Sequence, residues 1–62
     1  MKFTIYMIYR NTLGSDRVPM PHDNGLDIYE AVFRANLYKK RCPHNDYQVV
    51  NEANGDIEYE AV

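Results

Sequence analysis

Asn11-Thr-Leu-Gly-Ser-Asp-Arg-Val-Pro-Met-Pro-His-Asp-Asn24 is the stretch whose reading divides the rest of the chain into elements. It holds Gly14, Pro19, Pro21 and several turn formers, shows no apolar period, and therefore reads as a connection over 11–24. Unstructured connections beyond about 12–15 residues are uncommon inside compact domains and tend to be functional or mobile. The expectation is that this loop is the most mobile region, with amide exchange near the unprotected limit.

On its N-terminal side, residues 2–10 (Lys-Phe-Thr-Ile-Tyr-Met-Ile-Tyr-Arg) are rich in β-branched and aromatic types and alternate with period two, as a strand does. Phe3, Ile5, Met7 and Tyr9 share one face. Thr4, Tyr6, Ile8 and Arg10 share the other, which is too apolar for a plain solvent face. On its C-terminal side the spacing predicts a helix over 25–41, capped by Asn24 or Asp23, with Asp27 in the first turn and Lys39, Lys40 and Arg41 in the last. Pro43 ends it. At about 100° per residue, Ile28, Ala31, Val32, Ala35, Tyr38 and Cys42 form one stripe, and Leu26, Tyr29, Phe33 and Leu37 form a second, almost back to back with the first.

Residues 46–61 read as a hairpin around Ala53-Asn54-Gly55. A two-residue turn pairs Val50 with Tyr59. A three-residue loop with Gly55 as a bulge pairs Val49 with Tyr59 and Tyr47 with Ala61, and separates apolar from charged residues better. Tyr59 is expected to face the helix together with Ile57. The elements sum to one α+β domain over 1–62, a βαββ unit with one helix packed on a three-stranded, mostly antiparallel sheet. The order with the C-terminal strand between the other two makes every pairing antiparallel and is expected over one with the middle strand central, which needs a parallel crossover.

A chain of 62 residues buries only about 60% of its unfolded surface, so the core is thin. Cys42 is the only cysteine and forms no internal bridge, which leaves self-association as a stabiliser. That single thiol and the lack of a signal-like start point to the cytoplasm, and no segment is long and apolar enough to span a membrane. Seven Lys and Arg against nine Asp and Glu give a net charge of -2, which creates no overall field for nucleic acid. Six tyrosines and no tryptophan suit half-buried strands and interfaces.

Covalent chemistry finds little footing. The glycines are scattered and form no phosphate cradle. Cys42 with His44, or Ser15 with His22, would supply a nucleophile and base but no third orienting group. Cys42, His44, His22 and Asp23 are metal-ligand types at a spacing that matches no metal signature. Glu52, Asp56, Glu58 and Glu60 read as a solvated strand face that discourages edge-to-edge aggregation. No cofactor is implied, and the chain is expected not to be an enzyme.

A βαββ chain of this size, with an initial strand and the Asn51-Glu-Ala-Asn-Gly-Asp56 hairpin near its end, resembles the small accessory proteins of bacteriophages and mobile elements, among them anti-CRISPR inhibitors. The resemblance is one of architecture and carries over no functional residue. It implies stoichiometric binding of a host macromolecular complex.

The leading expectation is therefore a non-enzymatic protein-interaction module, possessing as its contact surface the Leu26, Tyr29, Phe33, Leu37 stripe or the Tyr6, Ile8 sheet face. Its partner is another protein or a second copy of itself in a homodimer. The competing account of the stripe folds the long loop over Phe33, with Leu13, Val18 and Met20 as a lid. The alternative function is nucleic-acid binding through Arg34, Lys39, Lys40 and Arg41, with Tyr38 beside them for stacking.

Overall fold

The computed structural model describes residues Met1–Val62 as five elements: β1 (Phe3–Asn11), β2 (Gly14–Pro19), α1 (Ile28–Arg41), β3 (Asp46–Asn51) and β4 (Ile57–Ala61). The four strands form one open antiparallel sheet in the order β2-β1-β3-β4. The α+β class stands. The three-stranded βαββ unit is corrected to ββαββ, because the stretch from Asn11 to Asn24 is half of a hairpin.

Two physical reasons hid β2. Its sequence, Gly-Ser-Asp-Arg-Val-Pro, has one apolar residue, and all six positions are exposed. It is an edge strand protected by charge and ended by proline, so it never carries a buried face for the alternation to reveal. The turn is also unmarked. Thr12 and Leu13 join Asn11 to Gly14 without positive φ, so this is not the mirror-image turn that an Asn-Gly pair would announce. Gly14, at φ +132°, absorbs the reversal instead, and the Asn11 side-chain oxygen accepts from the Leu13 N–H at 2.8 Å.

The extra strand also resolves the strand order. With β2 inserted, the chain reverses once more before α1, so β3 enters antiparallel beside β1 with no crossover between parallel neighbours. The middle strand of the three expected is thus central after all, and the order that put the C-terminal strand there is overturned. Beyond β2 the chain keeps tracking β1. The Met20 N–H donates to the Ile5 carbonyl at 2.8 Å, the Ile5 N–H to Asp23 at 3.0 Å, and Phe3 and Leu26 exchange both backbone bonds. The expected mobile loop is therefore tied down along most of its length.

The core is the layer between α1 and one sheet face: Phe3 and Ile5 of β1, Tyr47 and Val49 of β3, Ala61 of β4, and Ala31 and Ala35 of α1. The two alanines let the helix backbone approach the sheet closely, which is why the first helix stripe holds small residues. Ile28, Val32 and Tyr38 pack around them, but Cys42 lies beyond the helix, exposed. The C-terminal hairpin keeps the expected pairings, with Val49 opposite Tyr59 and Tyr47 opposite Ala61, and Gly55 at φ +78°. The three-residue loop with Gly55 as its bulge is corrected: the Asn51 N–H donates to the Asp56 carbonyl at 2.8 Å, so four residues form the loop and the bulge lies in β4. Because Val50 then pairs with Ile57, Glu58 is the extra residue of the bulge. Ile57 consequently shares a face with Val50 and not with Tyr59, a correction to the expected placement.

The helix begins three residues later than expected. Asp27 is its N-cap, accepting from the Glu30 N–H at 2.8 Å, and Asp27-Ile-Tyr-Glu30 has the spacing of a capping box. Neither Asn24 nor Asp23 caps it. No helix is long and apolar enough to cross a membrane.

Candidate interaction surface

The alternation of β1 divides the expected contact residues between two sides of the molecule. Phe3 and Ile5 point to α1, so Tyr6 and Ile8 lie on the opposite sheet face, over which no element packs. That face is partly covered from within the sheet. The Arg17 guanidinium lies 4.1 Å from the centre of the Tyr6 ring and donates from Nε to Gln48 Oε1 at 3.1 Å, leaving Tyr6 and Ile8 half-buried. A polar concavity of about 510 Å³ on this side includes Lys2, Thr4 and Glu52. Its carboxylate is already engaged, accepting from the Gly25 N–H at 2.6 Å and the Thr4 hydroxyl at 2.8 Å. Those two bonds, the backbone one first, hold Glu52 below the usual carboxylate range.

The second helix stripe is open. Tyr29 is 85% exposed and Phe33 64%, while Leu37 is half-buried at the margin. Leu26 does not belong with them: it precedes the N-cap, bridges to Phe3 and packs against the core. The lid account fails, because Leu13 is 97% exposed at the tip of the β1–β2 hairpin and Met20 packs against the core. At the N-terminal end of the stripe, Met1, Phe3, Asp27, Ile28, Tyr29 and Glu58 line an apolar concavity of about 630 Å³ with two carboxylates among its walls. Asp27 was visible in the sequence as a first-turn acid. Glu58 was not, because only the bulge brings it to this side.

The basic cluster separates into two kinds of residue. Arg34 is turned inward: its Nη1 donates to the buried Asp23 carboxylate at 2.7 Å and its Nε to Glu30 at 3.0 Å. Tyr38 donates its hydroxyl to the other Asp23 oxygen and stacks at a tilt on Tyr47, with ring centres 5.5 Å apart. Asp23 raises the pKa of both groups, chiefly through these hydrogen bonds. Lys39 closes the turn into β3, donating to the carbonyls of Pro43 and Asn45 and to Asp46 at 2.9–3.0 Å. Lys39 first, then Arg10, holds Asp46 below the usual range. Only Lys40 and Arg41 project from the helix end without an ion-pair partner.

Ser15 lies near the start of β2 and His22 in the turn beyond its other end, and no three His, Cys, Asp or Glu side chains converge as a metal cluster would require. Comparison with protein-family models, with curated proteins and with solved structures finds no match.

Proposed function

We propose that this chain is a non-enzymatic protein-interaction module acting by occupancy, as a small phage-type inhibitor of a host macromolecular complex does, with the outer face of α1 as its contact surface. The observation that carries this reading is the exposure of Tyr29 and Phe33, two large rings one helical turn apart on the side of α1 away from the sheet. Exposed aromatic residues on a rigid element are the common anchors of protein interfaces, since they bury much area at small entropic cost. The reducing cytoplasm, where the exposed Cys42 thiol stays free, suits such a module.

Nucleic-acid binding draws less support, because Arg34 and Lys39 spend their charge on internal partners and leave Lys40 and Arg41 alone at the helix end. Two phosphate contacts would give weak, steeply salt-dependent binding. A photoreactive phenylalanine analogue placed at Phe33, and as a control at the exposed Leu13, distinguishes the two readings in the native cell. Protein adducts at position 33 and none at position 13 are expected. Nuclease-sensitive adducts, or no adduct at position 33, would overturn the proposal.

A further inference from the structure

We infer that the outer face of α1 takes a second copy of this chain, with the two helices antiparallel and Phe33 of each on the twofold axis. This rests on the proposal that the face binds protein, and commits it to one partner.

The charge pattern argues for the orientation. Carboxylates without an ion-pair partner lie at the N-terminal end of the stripe, on Glu58 and on the N-cap Asp27, one of whose oxygens already accepts from the Glu30 N–H, and cations without one lie at its C-terminal end, on Lys40 and Arg41. A parallel pair would set like charges together at both ends. An antiparallel pair sets each acidic end against a basic one and also opposes the helix dipoles favourably.

Spacing sets the register. At about 1.5 Å per residue, Tyr29 and Leu37 each lie about 6 Å along the axis from Phe33, in opposite directions. Pairing Phe33 with its own copy therefore brings Tyr29 of one chain level with Leu37 of the other. Lys40 lies about 10.5 Å from Phe33 in one direction and Asp27 about 9 Å in the other, so the charged ends come level in the same register.

The flanks agree as well. Asn36 marks the flank towards β4, since its side-chain oxygen accepts from the Tyr59 hydroxyl at 2.7 Å, and Lys40 follows one turn later on that flank. Arg34 marks the flank towards Asp23, and Asp27 and Arg41 lie seven residues to either side of it. A twofold axis perpendicular to the helices sets like flank against like flank. Lys40 of one chain then reaches Glu58 of β4 in the other, and Arg41 reaches Asp27. The apolar concavity between those carboxylates has the character that the aliphatic stem of a lysine or arginine fills while its charge remains at the rim.

Single cysteines placed in the full chain with Cys42→Ser, which removes the exposed native thiol, test this geometry with a short thiol-to-thiol linker. Phe33→Cys alone should give cross-linked dimer, and a mixture of Tyr29→Cys and Leu37→Cys should give the mixed dimer. Tyr29→Cys or Leu37→Cys alone should give at least tenfold less. Efficient self-linking at 29 and at 37 would show a parallel pair and overturn the register. If Phe33→Cys removes too much of the seam for association, sedimentation of the wild type keeps the test decisive: a monomer at the highest soluble concentration overturns self-association. Charge reversal supplies a second arm, with dimer weakened at least tenfold by Lys40→Glu and restored when Glu58→Lys is added. If the photoreactive group at position 33 captures other proteins while no self-linking occurs, the second copy is refuted and the binding role of the face survives.

Discussion

His22 carries the one left-handed backbone among the non-glycine residues, at φ +66°. It follows Pro21 in a turn closed by the Asp23 N–H on the Met20 carbonyl at 3.3 Å, an arrangement with the form of a type II turn, where glycine is the favoured occupant. Relief of the Cβ penalty, less the greater chain entropy of glycine, should make His22→Gly more stable by about 0.5–1 kcal/mol. In a domain this small that raises the melting temperature by roughly 2–8 °C, which calorimetry reads directly. An unchanged or lower value would show that His22 supplies a contact of its own. The next residue is the opposite case. Asp23 is buried with its carboxylate shared between Arg34 and Tyr38, so Asp23→Ala strands two donors and should cost about 2 kcal/mol or more, whereas Tyr38→Phe removes one bond and should cost about 1 kcal/mol. Equilibrium denaturation giving the reverse order would remove Asp23 from the centre of this network. Asp23 was legible as a helix-start residue by type and position, but the sequence has no mark for a carboxylate that caps nothing and clamps a helix from the side.

The elements differ in how clearly the chain announces them, and the reason is burial. β1 and the C-terminal hairpin line the core, so Phe3, Ile5, Tyr47, Val49 and Tyr59 alternate with polar residues and the pairing of Val49 with Tyr59 can be read, though the place of the bulge cannot. β2 buries nothing, and turn formers dominate its composition. β2 and the segment after it make a sharp expectation for hydrogen exchange: the amides of Met20 and Leu26, bonded to the Ile5 and Phe3 carbonyls, should exchange many times more slowly than that of Thr12 at the hairpin tip. Uniformly fast exchange from residue 12 to residue 26 would restore the mobile loop. Acid should loosen two other connections. Glu52 ties the loop after β3 to Gly25, Asp46 ties β3 to Lys39, and both carboxylates are held below their usual range. A depressed folded pKa contributes stability that is present above the unfolded value, near about 4 for carboxylates, and is lost as pH falls through the lower folded value. Stability should accordingly hold down to about pH 4.5 and decline below it, and Glu52→Gln should lower the plateau at neutral pH while flattening the acid limb. A variant curve parallel to the wild type down to pH 2 would remove Glu52 from that limb.

At the scale of the whole molecule, one helix and one open sheet make a single shared layer, and each retains a face outside it. The back-to-back stripes of α1 made its surplus apolar surface legible, and Tyr29 and Phe33 do lie outside the core. What the stripes did not show is that Leu26 belongs to the core and that Glu58 comes to the end of the same face, since the first depends on where the helix begins and the second on a bulge in β4. The separation of Arg34 and Lys39 from Lys40 and Arg41 was equally hidden, because it follows from Asp23 and Asp46, distant from those cations by up to 11 residues along the chain. The central claim is that the outer face of α1 serves contact with a partner and is not part of the fold. Urea denaturation of Phe33→Glu, compared with the wild type at a concentration where both sediment as monomers, tests it most directly. The unfolding free energy is expected to stay within about 1 kcal/mol of the wild type, as for a surface substitution. Loss of the folded state on this single change would place Phe33 inside the core and contradict the account.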